Sequence, residues 1–210
     1  MWNVILIGAL FGIAISVNAQ QPKTSGATRV PVSMDRYPGG SVVTELSSSI
    51  KLNKESTLNR EWFVVRDDNV PLNIEGPAGI NVVYESGGQY SSGRYLYKVA
   101  YSLRAKEPIA AFELRVVVLD VFGKLIKTLT ATQLTDFSDA KSFNGTWTIW
   151  SENEASEAFA SVTYVAQVRT AGGRVYEADR AAVVEQVRKV GKRITVVDLE
   201  PKRETPVPPK

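Results

Sequence analysis

The chain has 210 residues with neither cysteine nor histidine, and its 25 basic and 22 acidic residues leave a formal charge of +3. Those absences exclude disulfides, thiol nucleophiles, thiolate metal sites and the Ser-His-Asp triad, and they remove the commonest zinc and haem ligand. With 44% hydrophobic and 22% charged residues the composition is that of a globular protein, so any chemistry must run on carboxylates, lysines or tyrosines.

Residues 2–17 are almost wholly apolar, and Val17-Asn18-Ala19 then breaks into the polar Gln20, Gln21, Pro22 and Lys23. This predicts a secretory signal peptide over residues 1–19, although no Lys or Arg precedes the apolar run. A run of about 16 apolar residues falls short of the ~20 that span a bilayer, so no stable membrane span is expected after cleavage. The cleavage site has no Cys to carry a lipid. Export without disulfides predicts a periplasmic or secreted domain held by packing, and favours a bacterial envelope.

Residues 20–60 are rich in Ser, Thr, Gly, Pro and Asn with apolar residues scattered singly, which predicts an extended leader with one short strand near Ser41–Leu46. The folded body is expected over residues 61–178. Tyr95, Tyr97, Val99, Tyr101 and Leu103 alternate with polar residues, as in a half-buried strand. Pro108–Asp120 alternates at first and then becomes apolar on both faces, as in a central strand. Asp120-Val121-Phe122-Gly123 should turn it into an antiparallel partner over Lys124–Thr130, with Gly123 supplying a positive φ. Further strands are predicted at Trp62–Arg66, Val70–Ile74, Ile80–Glu85 and Thr146–Trp150, and at Phe159–Thr170, where Val162, Tyr164, Ala166 and Val168 share a face. Ala171-Gly172-Gly173 turns the chain into Arg174–Glu177. About nine short strands with Gly and Pro punctuation predict an all-β fold, an antiparallel β-sandwich.

Residues 179–200 are expected to form a helix and a terminal strand packing on that body. Asp179 is the N-cap, Val183, Val187 and Val190 share a face, Arg188 and Lys189 fill the last turn, and Gly191 closes it. Ile194–Leu199 is the predicted last strand. Residues 201–210 hold four of the ten prolines and read as a stiff basic tail.

The stretch from Phe112 to Tyr176 resembles a known family. Leu119-Asp120-Val121-Phe122-Gly123-Lys124, then Trp147, the acidic run Glu152-Asn153-Glu154, Ser161-Val162-Thr163-Tyr164 and Val168-Arg169-Thr170-Ala171-Gly172-Gly173 are similar to the Ig-like or fibronectin-type-III-like domain of flagellar hook-capping proteins and of related modules on secreted bacterial proteins. The resemblance implies an Ig-like β-sandwich, to which this chain's own residues add one short C-terminal helix beyond the point where such modules end. It brings no functional residues, because such folds host many unrelated roles. Thr148-Ile149 and Thr163 depart from that pattern, which has Asp-Gly after the Trp and Gly before the Tyr.

Two Ser-x-x-Lys matches, Ser48/Lys51 and Ser138/Lys141, lack the companion motifs of penicillin-binding enzymes and are read as chance. Glu152, Glu154 and Glu157 cluster between strands; a glycosidase would need two such acids facing across one bond, and a solvated acidic loop is the plainer reading. Asp136, Asp139 and Asn144 lack the frame of a calcium loop, and Asp67-Asp68-Asn69 reads as a turn. Among Trp62, Trp147, Trp150, Tyr84, Tyr95, Tyr97, Tyr101 and Tyr164, most are expected in the core. Trp150 falls on the opposite strand face from Trp147 and sits beside the acidic run, so Trp147, Trp150, Glu152 and Glu154 are the candidate binding residues. From Val184 onward seven basic and four acidic residues account for the whole net charge. Such a tail could touch an anionic surface; no nucleic-acid partner is expected. The sequence thus predicts a non-catalytic exported module without cofactor or metal that binds an envelope protein or cell-surface polymer. The alternative is a carbohydrate-binding module or weak carboxylate-dependent glycan hydrolase.

Overall fold

The computed structural model describes residues 29–41, 59–89 and 92–201. The predicted signal segment, most of the leader and all but the first residue of the C-terminal tail lie outside them. The described elements are β1 (Ser33–Ser41), β2 (Asn59–Arg66), β3 (Leu72–Glu75), β4 (Asn81–Glu85), β5 (Arg94–Ala105), β6 (Ile109–Leu119), β7 (Leu125–Phe137), β8 (Ala140–Ile149), α1 (Glu152–Glu157), β9 (Ala160–Thr170), β10 (Val175–Glu177), α2 (Arg180–Val187) and a terminal 3-10 turn, Val196–Leu199.

The strands form two sheets. The large one runs β1-β2-β9-β6-β7, with β10 beside the C-terminal half of β9. In the small one, β8 pairs along one edge of β5 while β3 and β4 lie end to end along the other. The break between β3 and β4 is set by Trp62: its Nε1 donates to the Ile80 carbonyl at 2.9 Å, and a Cβ at Gly79 would fall inside the indole. Only glycine lets the backbone pass that close.

Alternation in β5 works as the sequence predicts, with Tyr95, Tyr97, Val99, Tyr101 and Leu103 all buried between the sheets. Phe112, Leu114, Val116 and Val118 of β6 face them from the large sheet, and Phe112 meets Phe143 edge-on with ring centroids 5.0 Å apart. The hairpin from β6 to β7 also follows expectation. Gly123 has φ +76°, and Asp120 Oδ1 accepts from the Phe122 and Lys124 amides at 2.8 Å each.

A second core covers the opposite face of the large sheet, which explains why β6 and β9 are apolar on both sides. Phe63, Val117, Leu119, Val162, Tyr164 and Ala166 pack there against Val183, Val184 and Val187 of α2, with Ile194 and Leu199. Burying three valines contributes about 1.5–3 kcal/mol each before entropy is counted. Asp179 caps α2 as predicted, accepting from the Ala181 and Ala182 amides at 3.1 Å. The regular helix stops at Val187 and a turn carries residues 188–190, so Arg188 and Lys189 stand outside it. Buried Arg115 ties down the last turn: its guanidinium donates to the Leu199 carbonyl at 3.1 Å and pairs with Glu113 at 2.6 Å and Glu200 at 2.9 Å.

Several expectations are corrected. The large sheet is mixed, because β2 and β9 run parallel, with Phe63 opposite Val162. Parallel pairing is typical of strands covered on both faces, as these are. Ser33–Ser41, inside the stretch read as leader, pairs with β2; the strand expected near Ser41–Leu46 falls outside the described residues after Ser41. Ile194–Leu199 is not a strand: Asp198 Oδ2 accepts from the Thr195 amide at 2.9 Å and hydroxyl at 2.7 Å and closes a 3-10 turn. The acidic run Glu152–Glu157 is a helix rather than a loop. Val168 leaves the face it was assigned and joins the core between the sheets, because the β6–β9 register shifts between Glu113 and Leu114.

Candidate functional site

Strand pairing places the four candidate residues at one end of the molecule. Tyr95 lies opposite both Ile149 and Tyr84, which brings the start of β5 together with the ends of β8 and β4. Leu119 lies opposite Ala160, so the turn between β6 and β7 projects from that end as well. Trp150 and α1 form the crossing from β8 in the small sheet to β9 in the large one.

α1 forms because Ser151 and Glu154 stand in the S-x-x-E spacing of a helix start. Ser151 Oγ accepts from the Glu154 amide at 3.1 Å, and Ala155 anchors the helix in the core. Positions two apart on a helix face different ways. Glu154 turns inward and pairs with Lys127 of β7 at 2.7 Å, whereas Glu152 and Glu157 are exposed. The Tyr97 hydroxyl reaches the Glu154 carbonyl at 3.5 Å. Burial, helped by the Glu154 carboxylate, raises the Tyr97 phenol far above its ordinary value. Nearby, buried Arg60 donates from Nε to the Ala158 carbonyl at 3.0 Å, and burial lowers its pKa to about 10. The inner side of α1 is therefore engaged in holding the two sheets together.

Just before the helix Trp150 is 74% exposed, and Glu152 at its start is exposed as well. Tyr84 is 38% exposed, and its ring meets that of Tyr95 at 5.0 Å between centroids. The Tyr95 phenol is raised, first by burial and then by the Glu152 carboxylate. An exposed indole, a partly exposed phenol and a carboxylate thus stand at the same end of the small sheet, groups of the kind that stack on and hydrogen-bond to a ligand or partner.

Trp147 does not join them. It is half-buried against the core, and its Nε1 donates at 2.9 Å to the Thr130 carbonyl on the outer edge of β7. Of the four candidates, then, Trp150 and Glu152 come together on the surface, while Trp147 and Glu154 are structural links from β8 and α1 to β7. Lys141 points away from catalysis with Ser138: it donates to Thr135 Oγ1 at 2.9 Å and lies over the Phe137 and Phe143 rings. Ser48 and Lys51 lie outside the described residues. Asp139 Oδ1 is 3.4 Å from Arg104 Nη1.

Sequence reasoning missed Arg60 and Arg115, whose acceptors lie 98 and 84 positions away. It also read Asp67 only as a turn residue. Asp67 is buried, receives the Asn69 amide at 3.1 Å, and accepts the Asp179 amide at 3.2 Å, fastening α2 to the body. The signal for α1 was present as Ser151-x-x-Glu154.

No family model matches the chain, and no curated protein matches it. A solved structure of a hypothetical protein from Peptoclostridium difficile 630 is similar at a TM-score of 0.43 and 10% identity, over 61% of this chain and 96% of that one.

Proposed function

We propose that the protein is an exported, non-catalytic binding or structural module of the bacterial envelope, built as an Ig-like β-sandwich and acting through protein–protein contacts. The observation that carries this reading is the outer edge of β7. Among the described residues no strand pairs with that edge. Thr132, Leu134 and Asp136 are exposed along it, and Leu134 is 85% exposed. A long edge strand offering unpaired backbone groups beside an apolar side chain is suited to receive a strand from a partner. Nearer the other end of β7 the same edge is closed by the Trp147 indole, which confines pairing to the half around Leu134.

The test is site-specific photo-crosslinking in native envelopes with the reactive group at Leu134, and at Val175 as a control position. Crosslinks from Leu134 to one envelope protein, absent from the control, are the expected result; equal labelling from both positions refutes the reading. N-terminal sequencing of the accumulated chain should start after Ala19, and retention of Met1 would overturn export with cleavage.

A second reading, glycan binding, is favoured by Trp150 and Glu152 at the same end of the small sheet as Tyr84. Tryptophan fluorescence titrated with cell-wall polysaccharides should shift in the native protein and stay flat in Trp150→Ala if that indole stacks on sugar.

A further inference from the structure

The end of the molecule that carries the β6–β7 turn has a second exposed feature, distinct from Trp150. Val121 and Phe122 stand at the tip of that turn, 50% and 73% exposed. The turn is seated on the loop that follows α2: the Lys192 amide donates to the Gly123 carbonyl at 2.6 Å, and a Cβ at Gly123 would press on the Val190 carbonyl. Lys124, Lys189, Lys192 and Arg193 are exposed around this contact. None of the four is in an ion pair with a described carboxylate; Lys189 donates to Gln186 Oε1, and only the neighbouring Arg188 is paired, with Glu185. The nearest acid of the turn, Asp120, is occupied by two backbone amides. Glu152 and Glu157 belong to α1, which packs against β5 and β8 on the small-sheet side, and so lie away from the α2 layer.

Arg193 also has φ +59°, the single non-glycine positive φ among the described residues. That conformation disfavours side chains other than glycine, asparagine or aspartate. A long cation is held here against local backbone preference, in a loop otherwise fixed by Gly191 and Ile194.

From this arrangement we infer that the β6–β7 tip and the 188–193 loop form a docking surface for an anionic phospholipid bilayer. Phe122 and Val121 enter the headgroup boundary, while Lys124, Lys189, Lys192 and Arg193 contact lipid phosphates. The combination decides between occupants. A soluble polyanion would be served by the cations alone, whereas a bilayer interface rewards an apolar tip ringed by positive charge. The inference does not depend on the β7 edge or on Trp150.

The test is co-sedimentation of the protein, in the form that accumulates in its cells, with vesicles of phosphatidylcholine alone and with vesicles containing one quarter phosphatidylglycerol. Binding to the neutral vesicles sets the baseline. The expected result is a several-fold higher affinity for the anionic vesicles that declines in high salt. Each cation near the surface is worth roughly fivefold in affinity, so Lys192→Glu with Arg193→Glu should lower binding by tenfold or more. Phe122→Ser should lower it several-fold, and Val175→Ser, on β10, should leave it unchanged. Arg193→Gly relieves the backbone and should fold at least as stably, yet bind severalfold more weakly, which separates lost docking from lost structure. Equal binding to neutral and anionic vesicles, or native-like binding by the Glu and Ser variants at the tip, would overturn the inference. So would binding to soluble polyphosphate without binding to vesicles.

Discussion

Arg115 offers a direct test of how the α2 layer is fastened to the large sheet. Its side chain is buried on the outer face of β6, where it meets Glu113 at 2.6 Å, Glu200 at 2.9 Å and the Leu199 carbonyl at 3.1 Å. Burial by itself would lower the guanidinium pKa, but the Glu200 and Glu113 carboxylates more than reverse that, and the net shift is upward. Arg115→Met keeps most of the buried length and removes the charge and all three contacts. Breaking a buried pair typically costs 3–5 kcal/mol. Glu200 is 39% exposed and retains Arg180 at 2.8 Å, and the Leu199 carbonyl still receives the Tyr164 hydroxyl at 3.4 Å, so the stranded groups are partly compensated. The expected loss is therefore about 2–3 kcal/mol. Urea unfolding should show it as a lower midpoint at unchanged slope. Hydrogen exchange should accelerate first at Asp198 and Glu200, whose amides are tied within the 3-10 turn. A variant within about 0.5 kcal/mol of the native protein, with exchange in that turn unaltered, would refute the claim that Arg115 holds the last turn down.

Three further outcomes are expected. Gly79→Ala drives a methyl group into the Trp62 ring and should cost about 2–4 kcal/mol with a shift in tryptophan emission; Gly76→Ala, where a Cβ meets open space but φ is +71°, should cost about 1 kcal/mol, both read by denaturant titration. Trp147→Phe keeps the ring packing and loses the donation to Thr130, about 1 kcal/mol by the same assay. In alkali, burial raises Tyr164 and Tyr101 to about 12 each, and Tyr97 further. The folded state then holds protons that the unfolded chain releases near pH 10, so stability is complete below about pH 10 and falls as pH rises through 12. Tyr164 alone accounts for about 3 kcal/mol of that fall. Arg60, lowered to about 10, acts in the opposite sense above pH 10, but one such group does not offset three phenols. Tyrosinate absorbance should show these three titrating only together with unfolding; early ionisation of all tyrosines near pH 10 in the folded protein would contradict it.

What the sequence disclosed, and what it withheld, follows from the range of the interactions. Alternation in Tyr95–Leu103 and the double-sided apolar run Val116–Leu119 are local signals, and both led to correctly placed strands. The direction of β2 relative to β9 is not encoded in any local period, since a strand's side-chain alternation is the same whichever way its neighbour runs. The bulge that moves Val168 between cores is likewise a property of the pair β6–β9. At the candidate site, Trp150 stood out because it broke the face shared by Trp147 and Ile149, and it is exposed. Trp147 and Glu154 looked equally available, and only the positions of Thr130 and Lys127 on another strand reveal that they are engaged. The β6–β7 tip was visible as a turn, but its cationic surroundings come from a loop some 70 residues later that no spacing rule connects to it.

The parallel pairing of β2 with β9 also governs when the fold can be completed. Phe63 and Val162 sit side by side, and Val32 receives the Gln186 side-chain amide across 154 positions. β2 therefore has its inner neighbour only after nearly the whole chain is present, and β9 gains its outer cover later still, from residues 183–199. Contacts so distant in sequence make for slow closure. During synthesis the first 150 or so residues can assemble the small sheet around β5, but β2 still lacks its inner neighbour β9. The topology itself thus postpones burial of the large sheet until β9 and the residues that cover it arrive.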